Sequence, residues 1–236
     1  MVISKTYRYI FIELPRTGTT AISKELCDNY GGKKILHKHS TYGNFLKIAS
    51  EEEKKYFVFS CIRNPLDRTV SLYIKLKTGQ KTIVSSGWNI KFLISELFFA
   101  RRYYYLKRTQ AKFADYFNKF YKLPYDDMSS ISYKYCDYFI YFENMQKDFA
   151  RVLQLIGIKQ IRDIPFVNIT DKKKKDFLSY YIPSTHKRAK RLFGPYMEKW
   201  GYKFPLNWGK VENSNILRYQ WKVLFRIRKI LWNYFQ

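Results

Sequence analysis

The chain has 236 residues, 46% of them hydrophobic and 19% aromatic, which is enough apolar material for one sizeable core and excludes an intrinsically disordered polymer. Its 44 Lys and Arg against 19 Asp and Glu leave a formal charge of +25, which biases partners towards polyanions without dictating a fold. Three cysteines, Cys27, Cys61 and Cys136, with no CxxC pair argue against a disulfide scaffold and a zinc site, and no uninterrupted apolar run is long enough to span a bilayer.

In chain order, Tyr7–Leu14 (YRYIFIEL) reads as a core strand. So early a strand leaves no room for a signal peptide, and the expected compartment is the cytoplasm. Pro15–Thr20 is a short polar turn, and Ala21–Tyr30 has helical spacing closed by Gly31–Gly32. Lys34–His37 reads as a second short strand, Tyr42–Lys54 as a helix, and Tyr56–Ile62 (YFVFSCI) as a strong strand. Pro65 suits the first turn of a helix running to about Lys77. Strand, crossover helix and strand in succession predict a parallel α/β sheet. The stretch from Gly87 to Leu123 reads as helical and carries ARRYYYLKR. Tyr138–Glu143 (YFIYFE) is the next strand, with a helix over Asn144–Ile156 ending at Gly157. Thr170–Asp171 is a plausible N-cap for a helix reaching Tyr181, and Lys172–Lys175 reads as its solvated face. Further helices are expected over Thr185–Lys199 and Asn213–Tyr234.

Two of the turns have the makings of phosphate loops. Pro15-Arg16-Thr17-Gly18-Thr19-Thr20 joins a buried strand to a helix, where unpaired backbone N–H groups carry partial positive charge. Gly18 permits close approach of an anion, Arg16 adds a planar fork of donors, and the threonines add hydroxyls. A tight turn without ligand is the alternative reading of these six residues alone. Thr19 stands where a Walker loop needs lysine, which disfavours an ordinary ATPase or kinase. The second segment runs Cys61-Ile62-Arg63-Asn64-Pro65-Leu66-Asp67-Arg68-Thr69-Val70-Ser71-Leu72-Tyr73, again from a strand into a helix. In an open parallel sheet both loops face one crevice. Arg63 leaves the strand at its rim and Ser71 lies about two helical turns on, while adjacent Asp67 and Arg68 read as braces of the turn.

In this pairing and order the chain resembles the sulfotransferases that use 3′-phosphoadenosine-5′-phosphosulfate (PAPS), particularly their carbohydrate branch. The resemblance implies that Arg16, Thr17, Gly18, Thr19 and Thr20 hold the 5′-phosphosulfate and that Arg63 and Ser71 hold the 3′-phosphate. It covers about residues 5 to 205, with Asp137–Asn144 and Phe193–Pro205 matching less specifically. It implies a P-loop-like α/β fold with a central parallel sheet flanked by helices, expected as one domain over 1–210 with a C-terminal helical extension over 211–236. Among the three histidines, the match selects His39, beside Lys38, as the base that deprotonates the acceptor, with Arg16 stabilising charge on the leaving oxygen. His37 reads as part of the strand, and His186 as a contact to nucleotide or acceptor. No metal is expected. The acceptor implied is a carbohydrate or glycolipid.

Two basic regions lie outside these motifs. Arg101, Arg102, Lys107 and Arg108, interleaved with Tyr103–Tyr105, read either as an acceptor cleft or as a helix with an aromatic core side and a solvated basic side. In the tail, Arg218, Lys222, Arg226 and Lys229 fall on one helical face at about 100° per residue, with Trp221, Leu224, Phe225, Leu231 and Trp232 elsewhere. Such a helix over 213–236 fits an anionic membrane surface, and equally a packing role. A basic nucleic-acid-binding protein and a P-loop-type phosphotransferase are the rival readings. The first explains neither phosphate loop and shows no known binding module, so no specific nucleic acid is expected. The oligomeric state is not legible.

Overall fold

The computed structural model describes residues 1–79, 90–165, 176–210 and 215–234. Among these, five strands form one sheet in the order β3-β1-β2-β4-β5. The expected strand Tyr7–Leu14 is β2 (Tyr9–Ile12), and an unexpected strand β1 (Val2–Ser4) precedes it, the two forming an antiparallel hairpin that pairs Val2 with Phe11 and Ser4 with Tyr9. The strand expected from Tyr7 therefore begins at Tyr9, because Arg8 at φ 54° belongs to the hairpin turn. Helix α1 (Thr19–Asn29) follows β2 and stops where the N–H groups of Tyr30 and Gly32 both reach Leu26 O, at 3.1 and 3.0 Å. Gly31 supplies the left-handed residue, φ 63°, that such an ending needs.

The second expected strand is shorter than its sequence suggests. Strand β3 is only Lys33–Lys34, exposed and antiparallel to β1, so His37 lies beyond it. Because β1 also opposes β2, β3 and β2 run in the same direction and end at the same edge. The helix expected over Tyr42–Lys54 is likewise split into α2 (Tyr42–Leu46) and a 3-10 turn at Glu53–Lys55. A capping box makes the break: Ser50 N–H donates to Glu53 Oε2 at 2.9 Å and Glu53 N–H to Ser50 Oγ at 3.2 Å.

Strand β4 (Phe57–Ile62) pairs in parallel with β2, and β5 (Tyr138–Tyr141) pairs in parallel with β4. The sheet is thus parallel at its centre, as expected, with β1 and β3 as an antiparallel edge. Between β4 and β5 come α3 (Pro65–Lys77), α4 (Ile90–Thr109), α5 (Phe113–Phe120) and α6 (Ser129–Ser132). The helical stretch expected up to Leu123 breaks between α4 and α5, where Gln110 adopts φ 50°. After β5 come α7 (Met145–Leu155), α8 (Pro183–Lys199) and α9 (Asn215–Tyr234). The N-cap expected at Thr170–Asp171 and the run Lys172–Lys175 lie outside the described residues. What is described next is a 3-10 turn, Phe177–Tyr180, capped by the Asp176 side chain at 2.9 Å from Leu178 N.

Period-two alternation sorts the sheet's side chains between two cores. Tyr9, Phe11, Phe59, Cys61 and Ile140 face α1 and α7 through Ile22, Leu26, Phe149 and Val152. Ile10, Ile12 and Val58 face the other way, against Tyr42 and Phe45. A third cluster packs α3, α5 and α8 through Leu66, Val70, Phe117, Leu192 and Phe193. Burying each such side chain is worth about 1.5–3 kcal/mol, so the ends of β2 and β4 are firmly placed.

Candidate active site

The loop between β2 and α1 curls because Arg16 and Gly18 both adopt left-handed backbone, at φ 65° and 81°. Gly18 also lies close against Phe142 and Met145, where β5 turns into α7. A Cβ there would stand 2.3 Å from Met145 Cε and 2.8 Å from Phe142 Cδ2. The hydroxyls of Thr17 and Thr19, expected to face an anion, instead donate to one carbonyl, Leu14 O, at 3.0 and 2.9 Å. Cys61 Sγ secures the same loop by donating to Thr17 O at 2.7 Å. Burial pushes its thiol well above the ordinary cysteine range, so it acts as a structural donor. What the loop presents is its backbone. Gly18 is the N-cap of α1, no side chain caps the helix, and Ala21 N–H closes the turn on Gly18 O at 3.1 Å, so the first-turn amides left to face outward are those of Thr19 and Thr20. Exposed Thr20 accepts from Lys38 Nζ at 3.0 Å, which sets an ammonium beside those amides. The Arg16 guanidinium lies over the Phe99 ring, 4.7 Å from its centroid. Burial first, and the charge of Arg68 second, push its pKa down to about 10, so it remains a cation at neutral pH.

The second loop is built of side chains. Helix α3 caps itself, with the Asn64 side chain accepting from Leu66 N at 2.9 Å and Pro65 in its first turn. Asn64 N–H donates to Glu143 Oε1 at 2.7 Å. Arg63, at the end of β4, donates from Nη2 to Ser71 Oγ at 2.7 Å and from Nε to Asp67 Oδ2 at 2.8 Å. Its Nη1 reaches Arg16 O at 3.4 Å, so the two loops touch. Asp67 thereby braces Arg63, and Arg68 braces the helix from outside by pairing with Asp127 and Tyr125.

His39, at φ 71°, follows β3 on the edge where β2 ends, and its Nδ1 lies 2.8 Å from Glu13 O. A carbonyl can only accept, so Nδ1 carries the proton and Nε2 is the basic nitrogen of the neutral ring. Burial pulls its pKa below the usual histidine value, opposed by the Glu13 contact, and Lys38 lowers it further. His37 is exposed. His186 stacks on Trp208 at 4.1 Å and 10° and bonds Tyr181 O at 2.9 Å.

The basic stretch on α4 does not act as a unit. Arg101, Lys107 and Arg108 are exposed, whereas Arg102 is 5% exposed inside a cage of Phe98, Tyr116, Phe120 and Tyr121. Its Nη1 donates to Tyr116 Oη at 2.9 Å. Arg102 is therefore a core residue, and an acceptor cleft along this helix cannot include it.

Sequence reasoning missed Phe142. Its ring lies 4.1 Å from the Arg63 guanidinium and against Gly18, touching both loops at once. The one signal was an aromatic at the end of an expected strand. Together these contacts bring Arg16, Lys38 and Arg63, three cations, and the His39 imidazole to the end of the sheet where β2 and β4 finish. Among the described residues no group of three or more His, Cys, Asp or Glu could hold a metal ion. No helix among them is long and apolar enough to cross a membrane.

A family model described as Sulfotransferase family matches residues 1–194, well over half of the chain and inclusive of both loops and His39. Neither a search of curated proteins nor one of solved structures returns a match.

Proposed function

The chain belongs to the sulfotransferase family, and on that premise we propose that it moves a sulfuryl group from PAPS to a hydroxyl of a carbohydrate or glycolipid, with His39 as general base. The observation that carries this reading is the contact between two unlike anion sites, where Arg63, already bonded to Ser71, reaches Arg16 O. A donor with a phosphosulfate at one end and a 3′-phosphate at the other needs two such sites at a fixed separation. Bound PAPS supplies the activated sulfuryl group.

The chain's own groups do the rest. The α1 amides and Arg16 bind the 5′ end and stabilise the negative charge that develops on the leaving oxygen, a type of contact worth about 3–4 kcal/mol of barrier. Arg63 and Ser71 orient the nucleotide through its 3′-phosphate. The Nε2 atom of His39 accepts the acceptor's hydroxyl proton, and Glu13 O holds the ring in the tautomer that makes this possible. Residues 213–236 bring the domain to an anionic membrane surface, where a lipid-linked glycan would be presented.

Thermal stabilisation by 3′,5′-adenosine bisphosphate against AMP and ATP tests the donor assignment. At 100 times its dissociation constant the bisphosphate adds about 2.7 kcal/mol, a visible rise in melting temperature that AMP at the same concentration does not match. Equal shifts from AMP, or a preference for ATP, would overturn it.

A further inference from the structure

Helix α9 lies wholly outside the residues that match the family, and it shapes a cavity of about 1120 Å³ against α8. One side of this cavity is cationic, with Lys187, Lys190 and Arg191 from α8 joined by Lys210. Lys190 Nζ is anchored by Trp208 O and Lys210 O, each at 2.7 Å, which leaves one of its three donors. The opposite side is apolar and includes Ile216 and Val223. Among the described residues that line it none is Asp or Glu, and α9 itself contains neither.

The apolar side continues beyond the cavity. Helix α9 docks by one face: Arg218 pairs with Glu198 at 2.7 Å, Trp221 Nε1 donates to Tyr125 O at 2.9 Å, and Arg228 reaches Pro124 O. Away from that face, Ile216, Tyr219, Val223, Ile227 and Ile230 recur every three or four residues as one stripe, from 37% to 69% exposed. Lys222, Arg226 and Lys229 flank it. A second copy of the chain would bring like charges together along this stripe, whereas a phosphate beside a hydrocarbon chain matches both halves of the site.

We propose that the cavity between α8 and α9 binds one anionic phospholipid of a bilayer, its phosphate among Lys187, Lys190, Arg191 and Lys210 and its acyl chain along the α9 stripe. This rests on the reading that α9 meets a membrane, and it is independent of the donor nucleotide. It adds a stoichiometric site to what would otherwise be diffuse adsorption.

Calorimetric titration of the full chain with dihexanoyl phosphatidic acid, below its micelle concentration, tests the site apart from any bilayer. A single saturable site is expected. The exposed pair Lys187→Glu/Arg191→Glu, and separately Val223→Asp, should each weaken it about tenfold or more, with melting temperature unchanged. Dihexanoyl phosphatidylcholine should bind about tenfold more weakly, the same margin of net headgroup charge. Equal binding of phosphatidylcholine would reduce the site to an apolar groove, and equal binding of inorganic phosphate to a site for free anions. Absence of saturable binding, or a stable dimer that the lipid leaves intact, would also overturn the proposal. If vesicles still bind while the soluble lipid does not, the membrane reading survives and the discrete site falls.

Discussion

The two loops that follow β2 and β4 are built in opposite ways. At Pro15–Thr20 the helix that follows is left without a side-chain cap, and the Thr17 and Thr19 hydroxyls are turned inward onto Leu14 O, so the anion site we propose there is made of backbone. At Arg63–Ser71 the helix is closed by Asn64, and the anion site we propose there is made of a guanidinium and a hydroxyl already bonded to each other. The difference teaches what each can tolerate. A backbone site depends on dihedral angles and is insensitive to most side chains. A side-chain site depends on residue identity and on the braces that hold it, here Asp67 and Phe142.

The sharpest way to break this comparison is at Gly18. An alanine must adopt φ 81° and meet Phe142, shifting the amides; a displacement of this kind costs about 100-fold in kcat. Ordinary turnover by Gly18→Ala, measured with labelled PAPS, would show that the α1 amides are not the site. The next effect is at Arg63. Arg63→Ala should lower affinity for 3′,5′-adenosine bisphosphate by about 10- to 100-fold while AMP affinity is unchanged, the loss expected for charged hydrogen bonds. A retained preference for the 3′-phosphate would move that site elsewhere. The smallest effect is in pH. Because burial depresses the His39 pKa, the ring stays neutral as pH falls through the ordinary histidine value and is protonated only below it. The transfer rate should therefore hold steady from neutral pH down past about 6.5 and fall only at lower pH, a limb that His39→Ala abolishes. A rate that already halves at about pH 7 would exclude His39 as the base.

How much of this was legible depended on how local the signal is. Both loops, α1, β4 and α3 could be placed because strand, turn and helix follow one another within a few residues and Pro65 and Gly31 punctuate them. The hairpin of β1 was hidden because three residues are too few to show alternation. The break after α2 was written in Ser50 and Glu53, a capping signature masked by the helix-favouring Glu51–Lys55 that surrounds it. Arg102 was ambiguous because a guanidinium inside an aromatic cage and one on a solvated face share the same local sequence. Phe142 was out of reach, since its contact with Arg63 joins the end of β5 to the end of β4 across α3, α4, α5 and α6. Contacts of that kind are decided by the sheet order.

Two neighbouring carbonyls at the end of β2 have a consequence for precision. Leu14 O gathers Thr17 and Thr19 and so shapes the Pro15–Thr20 loop, while Glu13 O holds the His39 ring. Loop and imidazole are thus referenced to successive peptide units, about 3.8 Å apart. A displacement of these two peptide units would move both anchors together, so the loop and the imidazole share one reference.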